Sequence, residues 1–194
     1  MKIRKFIPII MCAFCLAACA DIPEVRESIP EEEQIVIAPP ENGWTAEELA
    51  GVSYFDGVQL SYPITLRSLG SAYGISDILN NDDGDKNYYI GNSIMSWQTV
   101  AYIRFSDDAA EISPDTEITY FLPYTEYLSV NGIKVGADKE ALISALGEPD
   151  SIENGVNDNI SVYSYLDRNT GRTILEINVI KENDCVTVIS LGDK

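Results

Sequence analysis

Histidine is absent from all 194 residues, and that absence removes much familiar catalytic machinery. Ser-His-Asp and Cys-His nucleophiles need an imidazole to take the proton, and the usual zinc sites use it as a ligand. Basic residues are scarce: 13 Lys and Arg stand against 31 Asp and Glu, a net charge of −18. Such a surface repels phosphate backbones and anionic headgroups, so nucleic acid is a poor partner. Of the four cysteines, Cys12, Cys15 and Cys19 lie at the start, which leaves Cys185 alone in the rest of the chain. With a single thiol there is no disulfide to form within that part, and no histidine to activate the thiol. A glycine-rich phosphate loop is missing too. The one long apolar run, from Phe6 to Ala18, is too short to span a bilayer as a permanent helix.

That run follows the basic start Met-Lys-Ile-Arg-Lys and breaks at Ala20-Asp21, the plan of an export signal. Leu16-Ala17-Ala18-Cys19 resembles the lipobox of bacterial lipoproteins. The resemblance implies cleavage after residue 18 and a diacylglycerol thioether on Cys19, placing the protein at the cell membrane on its extracytoplasmic face. Two acyl chains anchor stably where one holds only marginally. Loss of residues 1–18 removes Lys2, Arg4 and Lys5, so ten basic residues remain against 31 acidic ones, a balance of −21.

Residues 19–43 read as an acidic tether. Pro23, Pro30, Pro39 and Pro40 alternate with six glutamates and no aromatic residue, a composition that gives a core nothing to bury. Ile35-Val36-Ile37 is its one apolar patch, able to dock as an edge strand.

Folded structure is expected from Trp44. Thr45-Ala46-Glu47-Glu48 has the form of a capping box. Asp56-Gly57 between Val52–Phe55 and Val58–Tyr62 predicts a hairpin with a primed turn, and Thr65–Leu69 a short helix stopping near Gly70 or Gly74. The Asx-rich run 80–87 reads as an exposed loop. If Gly84 held the glycine position of a calcium loop, Leu79 and Ile90 would occupy the first and last ligand positions. Residues 97–105 alternate as a strand with Trp97, Thr99, Ala101, Ile103 and Phe105 inward and Gln98, Val100, Tyr102 and Arg104 outward. Glu117–Leu122 is another strand. Asp138 then caps a helix bearing Ala141, Leu142, Ala145 and Leu146 on one face, Gly147 stops it and Pro149 prevents continuation. Ile160–Leu166, Arg172–Ile180 and Cys185–Leu191 follow as a three-strand meander. The fold class is α+β, short helices packed on antiparallel meander sheets.

Gly132-Ile133-Lys134-Val135-Gly136-Ala137-Asp138-Lys139-Glu140, Leu142 and Leu146-Gly147-Glu148-Pro149-Asp150 together resemble the start of the envelope-lipoprotein module of the SmpA/OmlA type. That module is similar in fold to each half of the β-lactamase-inhibitor protein. Gly57-Val58-Gln59-Leu60 and Leu69-Gly70 echo the pattern 75 and 77 residues earlier. The resemblance implies two tandem modules, residues 44–127 and 128–194, and a protein-binding role without catalytic residues.

The functional expectation is a non-catalytic protein-binding lipoprotein with no cofactor and no metal, held to the membrane through Cys19. Tyr102 and Arg104, with Tyr163 and Tyr165 set opposite Glu176 and Asn178, are the candidate binding face, because tyrosine and arginine dominate interface hot spots. A structural or assembly component of the cell envelope is the alternative. A hydrolase using paired carboxylates such as Asp107-Asp108 ranks behind both. A broad concave sheet surface favours binding, and a sheet wholly covered by helices favours scaffolding.

Overall fold

Short-range hydrogen bonds set the short elements. The computed structural model describes residues 28–80, 86–96, 98–105, 111–124 and 127–192. The signal segment, Cys19, the centre of the Asx-rich loop, Trp97 and Asp107-Asp108 lie outside the described residues. Helix α1 (Ala46–Gly51) starts where the Thr45 hydroxyl accepts from the Glu48 amide at 3.1 Å and the Glu48 carboxylate accepts from the Thr45 amide at 3.0 Å. This is the expected reciprocal capping box. Strands β1 (Ser53–Phe55) and β2 (Val58–Gln59) flank Asp56 and Gly57, at φ 50° and 77°, the left-handed pair a primed turn requires. Thr65 and Ser68 form a second reciprocal cap on α2 (Leu66–Leu69). Helix α3 (Lys139–Leu146) begins where the Asp138 carboxylate accepts from the Ala141 amide at 2.7 Å, and it ends at Gly147, φ 83°. On α3, Leu142 and Leu146 are buried and Ile143 packs beside them, while Ala141 is exposed.

Strands β3 (Tyr73–Asn80), β4 (Lys86–Asn92), β5 (Gln98–Phe105) and β6 (Ile118–Pro123) form one antiparallel meander. After β7 (Leu128–Val130), strands β8 (Ser151–Asn154), β9 (Ile160–Leu166), β10 (Thr173–Ile180) and β11 (Cys185–Gly192) form another. Their last strands pair, which makes one eight-stranded sheet in the order β3-β4-β5-β6-β11-β10-β9-β8. A separate three-stranded sheet, β2-β1-β7, joins Phe55 to Leu128 across the expected boundary at 127/128. The architecture is α+β, as expected. Strands β3, β4, β7 and β8 are additional to the expected ones. β3 and β8 are edges, and all four residues of β8 are exposed, so no inward alternation marks them.

One side of the large sheet carries the core. A single register row crosses six strands through Tyr88, Ile103, Phe121, Leu191, Leu175 and Tyr165, every one buried. Leu49, Leu69, Leu142 and Leu146 bring all three helices onto this cluster. Val100, expected to face outward, is buried, because the β4–β5 register steps from Ala101 to Thr99 and leaves Val100 as the extra residue of a bulge.

From Ser28 onward the expected spacer lies against the domain. Ile29 donates its amide to Gly57 O at 2.7 Å, and Glu31 pairs with Lys134 at 2.8 Å. The Asn131 side chain, buried at φ 47°, accepts from the Ile37 amide and donates to Ile37 O and Ala145 O. It thereby binds the strap to the end of α3 as a backbone group would. Trp44 finishes the strap with an indole N–H bond to Leu146 O at 2.8 Å. Ile35, Val36 and Ile37 dock through the backbone rather than as an edge strand, and their side chains stay exposed.

Candidate functional site

The opposite side of the large sheet holds the remaining strand residues. On β5 the burial alternates, with Ala101, Ile103 and Phe105 inward and Tyr102 and Arg104 half-buried on the other face, as expected for those two residues. Tyr89 of β4 sits directly across from Tyr102. The rings of Tyr89 and Tyr102 meet edge to face at 6.0 Å, and those of Tyr102 and Tyr120 at 5.9 Å. This is the arrangement the ring quadrupoles favour. Three strands thus carry a row of three tyrosines, Tyr89 and Tyr102 half-buried and Tyr120 buried behind them at 4% exposed. Arg104 Nε donates to the buried Asn87 Oδ1 at 2.9 Å, which fixes the guanidinium beside the row.

Tyr163 and Tyr165 are not on this face, which corrects the expected site. They are 4% and 2% exposed, beneath α3. The β9–β10 register sets Tyr163 against Ile177 and Tyr165 against Leu175, while Ser164 faces Glu176 and Val162 faces Asn178. The expected pairing is off by one residue, and a one-residue slip sends every side chain to the other face. The Tyr165 hydroxyl donates to Gly147 O at 3.1 Å, satisfying it under α3. Burial first, and then the nearby Glu148 carboxylate, pushes its phenol well above the ordinary range. A hydrogen bond with Tyr163 is the main influence raising the Lys139 ammonium pKa.

Where the two meanders meet, the sheet is partly unzipped. Strands β6 and β11 pair only at Phe121–Leu191 and Tyr120–Gly192. Gly192 sits at φ 88°, and a Cβ there would stand 1.9 Å from Thr119 O, so glycine is what lets the backbones meet. Beyond this pair the strands diverge around a cleft of about 420 Å³, lined by Leu122, Pro123, Tyr124 and Leu128 on one side and Thr187, Val188 and Ile189 on the other. Leu122 is the register partner of Tyr102, so the cleft opens beside the tyrosine row. On the far side the same face carries small and polar groups, Ser164, Glu176, Asn178 and Ser190.

A smaller cavity of about 180 Å³ lies at the other end of the junction, between α1, Tyr62, Ile118 and Ile174, with Glu117 and Asp167 among its lining residues. Asp167 is already engaged. Its Oδ2 accepts from the Ala46 amide at 2.7 Å and its Oδ1 from the Asn169 and Thr170 amides at 2.8 and 2.9 Å. Burial opposes ionisation, but these amide bonds outweigh it and hold the carboxyl below its ordinary range. The group ties the start of α1 to the β9–β10 turn, assisted by the Arg168–Glu48 pair at 2.8 Å.

Among the described residues, no group of three or more Cys, Asp or Glu side chains is placed to hold a metal ion, and no helix is long and apolar enough to cross a membrane. Tyr89, Tyr120 and Gly192 complete the candidate face without having been expected. β4 carries no clean alternation, and the β6–β11 contact leaves no local signal. No protein-family model, curated protein or solved structure matches the chain.

Proposed function

We propose that the chain is a lipid-anchored extracytoplasmic protein that binds a protein partner on the open face of its large sheet and catalyses no reaction. The observation that carries this reading is the half-buried pair Tyr89 and Tyr102, held edge to face and backed by the buried Tyr120, beside Arg104 and the apolar cleft between β6 and β11. Rigid aromatic rings and a fixed guanidinium bring large contact area with few torsions left to freeze. The cleft next to them accepts an apolar anchor. A scaffold or assembly component would be the better reading of a sheet covered on both sides. Here Leu49, Leu69, Leu142 and Leu146 of the three described α-helices join the core cluster on the side of the register row from Tyr88 to Tyr165. The succession of a short helix and a four-strand meander in each half supports the tandem SmpA/OmlA-like reading.

Lipid on Cys19 is tested by Cys19→Ser, which is expected to leave an uncleaved precursor that no longer partitions into the detergent phase. Binding is tested with a photo-crosslinking residue at Tyr102 in intact cells, with Thr170 on the β9–β10 turn as the control position. An adduct specific to position 102, weakened at least about tenfold by Arg104→Ala, is the expected result. Tyr102→Ala alone should cost about 1–2 kcal/mol, less than truncation of a fully buried aromatic, since the half-buried ring loses its edge-to-face partners and part of its packing. The absence of any adduct at position 102 would remove the open face from consideration.

A further inference from the structure

The turn between β4 and β5 is an apolar tip on an acidic protein. Ile94 is 83% exposed and Met95 44% exposed. Single exposed apolar residues are ordinary, but two neighbours at a turn tip, where polar residues are the rule, are not. The sequence around them, from Asn87 to Ile103, contains no Asp, Glu, Lys or Arg, although the whole chain has a net charge of −18.

The tip stands at the end of the domain where the described chain begins, at Ser28. Ser28 and Ile29 rest on the Asp56-Gly57 turn: Ile29 donates to Gly57 O at 2.7 Å, and a Cβ on Gly57 would meet Ser28 Cβ at 3.0 Å. The Asp56 amide donates to Tyr127 O at 2.7 Å. The Tyr127 hydroxyl in turn reaches Met95 Sδ at 3.9 Å. Asp56 also accepts a hydrogen bond from Tyr73, the first residue of β3, at the same end of the sheet. A continuous line of contacts therefore links the start of the strap to the tip. Eight residues lie between Cys19 and Ser28. Fully extended they reach roughly 30 Å, so a lipid on Cys19 holds the bilayer close to this end of the molecule.

We propose that Ile94 and Met95 enter the interfacial layer of the bilayer and fix how the anchored domain stands on it. The proposal rests on the reading that Cys19 carries lipid. Acidic surfaces are repelled by anionic headgroups, so the uncharged tip is the region that approaches without that penalty. Two side chains bury too little apolar area to bind a membrane alone. The anchor supplies the high local concentration at which they count. The long axis of the strands then points away from the membrane, and the open sheet face stands roughly perpendicular to it, accessible to a partner.

The test uses lipidated protein with Cys185→Ser, reconstituted in phosphatidylcholine–phosphatidylglycerol vesicles, with one nitroxide on Ile94→Cys or on Ile78→Cys. Ile78 is also an exposed isoleucine, 50% accessible, but lies towards the other end of the sheet. Collisions with oxygen, which concentrates in lipid, and with a water-soluble nickel chelate are read by power saturation. The expected result at position 94 is a severalfold loss of nickel collisions with oxygen collisions retained, and the reverse at position 78. Equal nickel access at both positions overturns the proposal. So does shielding of position 94 from both reagents, which would mean that protein covers the tip. The mass of the N-terminal peptide reads the lipid on Cys19 separately: its absence defeats the anchor reading, and its presence with a water-exposed tip defeats only this inference.

Discussion

The two meanders place their tyrosines differently. On β4 of the first, Tyr88 and Tyr89 are sequence neighbours and so face opposite sides: Tyr88 enters the core against Phe105 at 5.0 Å, and Tyr89 joins the open-face row. On β9 of the second, Tyr163 and Tyr165 share one side and both go under α3. The first meander therefore keeps Tyr89 and Tyr102 half-buried on the open face, with Tyr120 buried between them and the second meander. The second spends its tyrosines on the core and sets serine, asparagine and glutamate on the opposite side, half-buried at Ser164, Glu176 and Asn178 and buried at Ser190. The lesson is that a tyrosine in a strand is amphipathic enough for either side. Its side is decided by what stands opposite, Ile177 and Leu175 for the buried pair and Tyr102 for the open one.

The sharpest way to break this contrast is Tyr165→Ala. The substitution empties a site 2% exposed beneath α3 and strips the partner from Gly147 O. A loss of about 3–5 kcal/mol is expected, as for other large buried aromatics. Urea melts of this variant beside Tyr102→Ala read the difference directly. Comparable midpoints for the two would mean that the face assignments are wrong.

The joint between the meanders comes next. Gly192→Ala forces a side chain to within 1.9 Å of Thr119 O at a left-handed φ, at an expected cost of at least about 2 kcal/mol. Hydrogen exchange should accelerate at Phe121 and Leu191 before it does at Ile177. Unchanged protection at Phe121 would show that the halves join without this contact.

The smallest effect concerns α1, which carries first-half residues onto a second-half turn. Asp167→Ala removes three amide bonds to one carboxylate and should cost about 1–3 kcal/mol. The sign with pH follows from the depressed folded-state pKa of Asp167. The carboxylate's contribution is complete above the unfolded pKa of about 3.9 and is lost as pH falls through the lower folded value. Wild type and variant should therefore converge in stability below about pH 4. A gap unchanged down to pH 2 would assign the effect to packing rather than to charge.

Part of the candidate site was legible along the chain. Tyr102 and Arg104 alternate with buried Ala101, Ile103 and Phe105, so β5 alone assigns their side. Tyr163 and Tyr165 alternate as cleanly, yet alternation tells which residues share a side without telling which side is covered. Tyr89 was hidden because Tyr88, Tyr89 and Ile90 follow one another without a polar residue between them, so β4 carries no alternation to read.

The sequence by itself determined the caps at Thr45 and Asp138, the short helix after Pro63, the Asp56-Gly57 turn, the stop at Gly147 and the strands of the second meander from Ile160 onward. Each depends on hydrogen bonds or backbone preferences acting within a few residues, which the local side chains encode. Only the tertiary structure decided that β9 meets β10 with Tyr163 against Ile177, that exposed β3 and β8 close the sheet, that residues 28–43 lie along the domain, and that Gly192 joins the two meanders. These depend on partners far away in the chain. A strand's own pattern is unchanged by a one-residue slip, and the free energy that selects the register lies in the paired surfaces.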